Sequence, residues 1–197
     1  MAAAGVTEEQ IVAELDAVGS RDPQNWGWVL AARVLSRIPG LDARVIDTWL
    51  RDVSLYVTDE AVRRAVHQVV EAELGDEPFV AVGHSLGSVV AYNVLRSAHR
   101  RGPCRGLITL GSPRGIPSIR GRLTAPVNYP HRLAAWLNAF DQADIVALRP
   151  LDTEFFPTDP LIENHGGVAN FTDNRHGIEG YLADGVVAKR IADLLRA

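Results

Sequence analysis

The residues with the clearest chemical potential in this chain surround Ser85. Gly83-His84-Ser85-Leu86-Gly87 is a G-x-S-x-G motif that follows a short apolar run at 79–82 and precedes a segment with helical spacing. This order of strand, motif and helix is typical of a nucleophile elbow, a sharp turn that presents a serine hydroxyl above the edge of a sheet. The sequence therefore predicts Ser85 as a nucleophile.

The neighbours of Ser85 have types that suit such a turn. Gly83 and Gly87 lack side chains, and we expect both to allow a close approach between strand and helix. Leu86 begins the predicted helix, so its backbone N–H is expected to stabilise a developing oxyanion.

Several segments resemble α/β-hydrolase lipases and esterases. The elbow at 82–88 carries the most specific likeness, and the strand and loop at 107–113 and the segment at 136–146 are similar to the following parts of those enzymes. The resemblance spans residues 79–197. It implies a triad in the chain order serine, acid, histidine, with no metal or organic cofactor.

A histidine must take the proton of Ser85 before that hydroxyl can attack a carbonyl. The chain has six histidines, and four of them are poorly placed for the order that the resemblance implies: His67, His84, His99 and His131. His176 lies on the predicted loop between a last strand at 168–171 and a final helix at 178–195, where the base belongs. His165 is the alternative base.

The acid is expected just after the predicted strand at 133–140. Asp144 precedes the apolar pair Ile145-Val146, as the carboxylate does in the resembling enzymes, and Asp141 at the strand tip is the alternative. We expect the carboxylate that does not serve as the acid to brace the turn.

One usual part of the family is missing. The resembling enzymes supply a second oxyanion donor from a His-Gly loop after an earlier strand, and no His-Gly pair precedes residue 83. The pattern up to residue 75 is helical, so the chain resembles either a reduced α/β-hydrolase or one without its N-terminal part. The strand at 79–83 would then have an open edge, which the N-terminal helices or a second copy of the chain would cover.

The predicted fold is α/β, a reduced, mostly parallel α/β-hydrolase-type sheet of about four or five strands with helices on both faces. We expect one domain over 1–197, with a helical N-terminal part at 1–75 and a catalytic core at 76–197. Helices are expected at 41–57, although Val45-Ile46 leaves a short strand open, and from a cap at Thr58 to Gly75. Five residues should line the buried face of the second helix: Val62, Ala65, Val66, Val69 and Val70.

Composition excludes several classes of function. A net charge of −4 argues against nucleic-acid binding, and one cysteine, Cys104, can form neither an internal disulfide nor a zinc cage. No apolar stretch is long enough to span a membrane, and the N-terminus lacks the pattern of a secretory signal. The sequence favours a cytoplasmic protein that binds no metal.

The stretch at 111–130 is rich in proline and glycine and carries Arg114, Arg120 and Arg122. It is either a lid or substrate-binding loop whose arginines receive an anionic group, or an ordinary solvated connection.

The leading hypothesis is a serine hydrolase that cleaves a carboxylic ester or thioester of a small-molecule acyl substrate. An acyltransferase or cyclase would use the same acyl-enzyme and pass it to an alcohol or amine. A non-catalytic binding or regulatory module that retains the elbow is the third hypothesis, and the missing oxyanion loop favours it.

Overall fold

A computed structural model describes residues 43–96, 102–120, 126–147, 149–173 and 175–197, and the side chains at 43–50, 117 and 118 are not part of this description. The helices predicted before residue 43, together with His99 and Arg122, lie outside the described residues. Across the described part of the chain, no helix has the length and apolar character needed to cross a bilayer.

The described part of the chain begins with two helices, then alternates strands and helices as far as the third strand, and ends with a fourth strand and two helices. The helices are α1 (Ala43–Thr58), α2 (Glu60–Glu73), α3 (Leu86–Arg96), α4 (Pro117–Arg120), α5 (Ile178–Leu182) and α6 (Gly185–Arg196). The strands are β1 (Phe79–His84), β2 (Cys104–Leu110), β3 (Trp136–Ala139) and β4 (Glu163–His165).

The four strands form one sheet in the order β1-β2-β3-β4, and every neighbouring pair is parallel. The predicted α/β class and the parallel sheet are confirmed. Because all strands run the same way, their carboxyl ends meet at one edge of the sheet, and the loops that follow them lie close together.

Helices cover both faces of this sheet, as predicted. Leu107 of β2 packs on the α3 side with Tyr92, while the next residue, Ile108, packs on the opposite side with Val187 of α6. At Gly106 the helix comes so close that an added Cβ would lie 2.4 Å from Leu194 Cδ1. Because side chains alternate along a strand, neighbouring residues of β2 belong to two separate apolar layers, one on each face of the sheet.

A row of polar side chains crosses the α3 face of the sheet. Thr109 Oγ1 donates to Asn138 Oδ1 (2.9 Å), and Asn138 Nδ2 donates to Asn164 Oδ1 (2.9 Å), so the row follows the register of β2, β3 and β4. The indole Nε1 of Trp136 donates to Thr109 Oγ1 (3.1 Å). Thr109, Asn138 and Trp136 are buried, and these hydrogen bonds avoid the cost of burying their polar groups unpaired.

The helices before the sheet differ in detail from the prediction. The segment at 43–58 is a helix, and the short strand at Val45-Ile46 does not form. Asp59, not Thr58, caps α2, because its carboxylate accepts from the N–H groups of Ala61 (2.8 Å) and Val62 (3.1 Å).

The predicted buried face of α2 is wrong in part. No residue of this helix is fully buried, and Val69 is 68% exposed. Val66 and Val70 pack, partly buried, against the cluster that contains Tyr56 of α1. The spacing of valines predicted a helix correctly, but a neighbour covers only part of its apolar stripe.

The C-terminal part also corrects two predictions. The last strand is at 163–165, and 168–171 is irregular because its backbone serves loop contacts, such as the N–H of Asn170 to Asp141 Oδ2 (2.7 Å). The predicted final helix is two helices, because Asp184 interrupts it and caps α6 through the N–H groups of Val186 and Val187.

Within the described residues, β1 is the edge strand beside β2 and has no strand on its other side. The apolar composition of 79–82 would suit a strand buried on both faces. The strand is not buried in that way, since Val82 is 41% exposed. Coverage of this edge by the N-terminal helices or by a second copy stays a prediction.

Candidate active site

The carboxyl edge of the sheet gathers most of the residues predicted to do chemistry. Ser85 follows β1 directly, Gly111 follows β2, and Asp141 and Asp144 follow β3. His176 lies after β4, on the loop that leads into α5. A set of loops at the carboxyl ends of parallel strands is the usual place for a binding site in an open α/β sheet.

Ser85 sits in a strained turn between β1 and α3. Its φ of 51° is in the left-handed region, which costs a non-glycine residue about 1–2 kcal/mol. Neighbouring contacts hold the turn: Ser85 N donates to Leu110 O (2.9 Å), and Ser88 Oγ donates to Ser85 O (2.5 Å). Ser88 Oγ also lies 2.8 Å from Ser112 Oγ, which links the elbow to the loop after β2. This backbone conformation agrees with the predicted elbow.

The two glycines of the motif differ in their surroundings. A Cβ added to Gly83 would lie 2.7 Å from Gly87 O and from Ser88 Cα, so strand and helix touch there as predicted. The expectation for Gly87 is wrong, because a Cβ added at that position would meet nothing within 4 Å. Only the first glycine of the motif is required by packing.

Asp144 and His176 are brought together by the loops that follow β3 and β4. His176 Nδ1 donates to Asp144 Oδ2 over 2.7 Å, and the Asp144 side chain is fully buried. Asp144 Oδ1 accepts from the N–H of Val146 (2.9 Å), which fixes the carboxylate in its turn. With the Nδ1 proton engaged, the buried Nε2 is the ring atom of His176 that can accept a proton.

Asp141, the alternative acid, has other partners. Its Oδ1 accepts from the N–H of Ala143 (2.7 Å), its Oδ2 accepts from the N–H of Asn170 (2.7 Å), and Arg175 Nη1 lies 3.8 Å from Oδ2. The carboxylate therefore joins the turn after β3 to the loop that carries His176. It braces the turn.

His165, the alternative base, contacts a different carboxylate. It ends β4, and its Nε2 lies 3.1 Å from Oδ1 of Asp184, the residue that caps α6. Asp184 is not one of the two predicted acids, Asp141 and Asp144. The structure therefore joins Asp144 to His176 and leaves His165 in a contact that ties the sheet to α6.

His84 ends β1 and packs against His176. Its ring centroid is 4.6 Å from that of His176, and its Nε2 donates to the backbone O of His176 over 2.7 Å. Burial and then the neighbouring His176 ring lower the pKa of His84, so it serves as a neutral donor at neutral pH. This contact holds the His176 backbone against the strand that carries Ser85.

For Arg114, both interpretations of the stretch at 111–130, an anion-binding loop and a solvated connection, are wrong. It is 1% exposed, its Nη2 donates to Val89 O (2.8 Å) and Asn93 Oδ1 (2.7 Å), and its guanidinium lies 3.8 Å from the centre of the Tyr92 ring. Burial lowers its pKa to about 9, which still leaves it charged at neutral pH. Arg114 supports α3 from within the core and is neither a solvated residue nor a substrate contact.

The other two arginines of that stretch are less informative. Arg120 donates from Nη1 to the backbone O of Phe155, and Arg122 lies outside the described residues. An anion-binding role for these two arginines stays a prediction. Cys104 is a buried thiol in the core, consistent with a packing role.

Gly111 is a site residue that the sequence analysis did not single out. Its φ is 56°, and an added Cβ would lie 3.0 Å from Asp144 Oδ2 and 3.0 Å from His176 Nδ1. A side chain at this position would crowd both Asp144 and His176. Its place directly after an apolar strand was the available signal in the sequence.

Replacement of Gly111 by alanine is expected to slow the reaction of Ser85 with a fluorophosphonate about 100-fold, since displacement of catalytic groups by about 1 Å has effects of that size. The labelling rate and the melting temperature would be measured together. Gly75→Ala is the matched control, because a Cβ there meets nothing within 4 Å. An unchanged labelling rate in Gly111→Ala would contradict the steric role.

Comparisons with protein-family models, with curated proteins and with solved structures found no match to this chain. Function is therefore inferred from the geometry of the carboxyl edge.

Proposed function

We propose that the protein is a serine hydrolase that cleaves a carboxylic ester or thioester through an acyl-enzyme on Ser85. The observation that carries the proposal is the 2.7 Å contact between His176 Nδ1 and the buried carboxylate of Asp144. This pair lies at the same sheet edge as a serine in a left-handed turn at the start of a helix. A nucleophile, a base and a group that orients the base are the parts that acyl transfer needs.

The first half of the reaction forms the acyl-enzyme. Ser85 Oγ attacks the acyl carbon while His176 Nε2 takes the hydroxyl proton, and the Asp144 carboxylate stabilises the resulting imidazolium. The Leu86 N–H donates to the oxyanion of the tetrahedral intermediate. The bond from the acyl carbon to the leaving oxygen or sulfur then breaks, and His176 gives its proton to the leaving group.

The second half releases the product. Water attacks the acyl carbon and transfers a proton to His176 Nε2, and the bond to Ser85 Oγ breaks as that oxygen regains its proton. A carboxylic acid leaves, and the enzyme returns to its starting state. An alcohol or amine in the place of water would make the same site an acyltransferase.

The test is covalent labelling with a fluorophosphonate probe, followed by identification of the labelled peptide. The wild type should label at Ser85, and Ser85→Ala should not label. His176→Ala should label about 10⁶-fold more slowly, which is the order of the loss in kcat when the histidine of a triad is removed elsewhere. His165→Ala is the matched histidine control and should label within about threefold of the wild type, a change of under 1 kcal/mol in the barrier.

A folded wild type that does not label would overturn the proposal and favour the binding module. If it labels, a panel of esters and thioesters of increasing acyl length would define the substrate class. Product analysis with and without an added alcohol or amine separates hydrolysis from acyl transfer, because only hydrolysis gives the free acid as the sole acyl product.

A further inference from the structure

Tyr181 lies on α5, the helix that follows the His176 loop, and its side chain is fully buried. It falls within the final helix that the sequence predicts at 178–195. The structure places its ring beside His84, with ring centroids 5.9 Å apart, and places its hydroxyl among the predicted acids.

The hydroxyl of Tyr181 contacts both carboxylate positions that the sequence left open. It donates to Asp144 Oδ2 over 2.5 Å, and it accepts from the backbone N–H of Asp141 over 3.3 Å. Asp144 Oδ2 is also the atom that accepts from His176 Nδ1. One carboxylate oxygen therefore receives two donors, one from the proposed base and one from Tyr181.

We propose that Tyr181 is a positioning residue for the reaction at Ser85, whose hydroxyl holds the Asp144 carboxylate in place and moderates its attraction for the proton of His176. This inference depends on the proposed function, since it assigns Tyr181 a part in the same site. Tyr181 acts through Asp144, and its role requires no contact with the nucleophile or the substrate.

The direction of the effect follows from charge. A hydrogen bond donated to a carboxylate stabilises its anion and reduces the charge available to a second donor. Removal of the Tyr181 hydroxyl therefore strengthens the hold of Asp144 on a protonated His176 and loosens the position of the carboxylate. The imidazolium would persist to higher pH, and the neutral base would be available over a narrower range.

Tyr181 itself stays protonated throughout. Burial, with the adjacent Asp144 carboxylate, raises its pKa far above the usual value of a tyrosine. Asp144 from the β3 loop and His84 from β1 are titratable groups that contact His176, and the Glu179 carboxylate on α5 acts on His84. Tyr181→Phe leaves these three side chains in place and removes one hydrogen bond to Asp144, so a shift in the behaviour of His176 would report that loss.

The variant Tyr181→Phe keeps the ring that packs on His84 and removes only the hydroxyl. The labelling rate of the full chain would be measured from pH 5 to pH 9 with a fluorophosphonate. We expect the acid limb of the profile to move up by about one pH unit, as the loss of one hydrogen bond to a charged group implies. We also expect the plateau rate to fall about tenfold, from poorer alignment of the base.

Tyr92→Phe is the matched control. Tyr92 is also fully buried, and its hydroxyl donates to the backbone O of Asn128 (2.8 Å), within the core and away from Asp144. Its profile should coincide with that of the wild type. A Tyr181→Phe profile that also coincides with the wild type, in position and in plateau, would overturn the inference.

A second readout separates this inference from the proposed function. The ring protons of His176 can be followed by NMR against pH in the wild type and in Tyr181→Phe, whether or not the protein labels. A midpoint that moves up in the variant supports coupling through Asp144, and an unmoved midpoint contradicts it. If the wild type fails to label but the midpoint moves, the hydrolase proposal fails and the coupling of Tyr181 to the Asp144–His176 pair stands.

Discussion

Replacement of Asp144 by asparagine is expected to slow the reaction of Ser85 with a fluorophosphonate about 10⁴-fold, the size of loss seen when a triad carboxylate is made neutral. An amide in this position can present its NH₂ group to His176 and favour the wrong tautomer, and it cannot stabilise an imidazolium. Asp144 is suited to this role because its side chain is fully buried and 2.7 Å from His176 Nδ1. The labelling rate at neutral pH measures the loss directly.

Asp141→Asn provides the matched control for that substitution. Asp141 is three residues away and also buried, but its carboxylate accepts from the backbone N–H groups of Ala143 and Asn170. We expect Asp141→Asn to lower the melting temperature and to slow labelling about tenfold or less, because the His176 loop is braced less firmly. Equal rate losses in the two variants would contradict the assignment of Asp144 as the acid.

Replacement of Gly83 by alanine is expected to lower the free energy of unfolding by about 3 kcal/mol, at the upper end of the cost of overpacking. The new Cβ would lie 2.7 Å from Gly87 O, 2.7 Å from Ser88 Cα and 2.8 Å from Ser88 N. These are backbone atoms of α3, so no side-chain rotation can relieve the clash. The helix must move away from β1, and the turn that holds Ser85 must change with it. Urea unfolding, followed by circular dichroism, measures the change.

Gly87→Ala is expected to have the opposite sign. A Cβ at Gly87 meets nothing within 4 Å, and the residue lies within α3, where alanine is favoured over glycine by up to about 1 kcal/mol. The two glycines of one motif should therefore give one destabilised and one slightly stabilised protein. Similar midpoints for the two variants would show that the contact between β1 and α3 is looser than the structure describes.

The elbow illustrates what could be predicted from local sequence. An apolar strand, a serine between glycines and a helix follow one another within 79–96, and the structure has all three in that order. Their conformations depend on short-range sterics and hydrogen bonding, which the residue types themselves set. The space for a side chain at Gly87 was not predictable, because it depends on which other parts of the fold lie near that position.

Local sequence narrowed the candidates for the acid and for the base to two residues each, but it did not decide between them as firmly as it identified the elbow. Asp141 and Asp144 have the same side chain within one turn, and His165 and His176 both follow the acid strand. The choice depends on loops that bring Asp144 to His176 across 32 residues of chain, a contact that no local pattern encodes. The structure pairs Asp144 with His176 and gives Asp141 and His165 other partners.

The last strand shows how a tertiary contact overrides a local pattern. Val168-Ala169-Asn170-Phe171 has the composition of a strand, yet β4 is at 163–165. The backbone N–H of Asn170 donates to Asp141 Oδ2. The side chain of Asn170 donates to the backbone O of Gly177 (2.8 Å). Backbone groups committed to these loop contacts cannot join a sheet ladder.

By itself, the sequence determined the strand-elbow-helix unit, the α/β class and a short set of residues able to activate a serine. These follow from periodicity and from the steric demands of a tight turn, which act over a few residues. Only the tertiary structure decided that Arg114 supports the core, that Gly111 leaves space for Asp144 and His176, and that the Tyr181 hydroxyl contacts Asp144. Those contacts join residues distant in the chain, and their geometry depends on how the helices pack across the sheet.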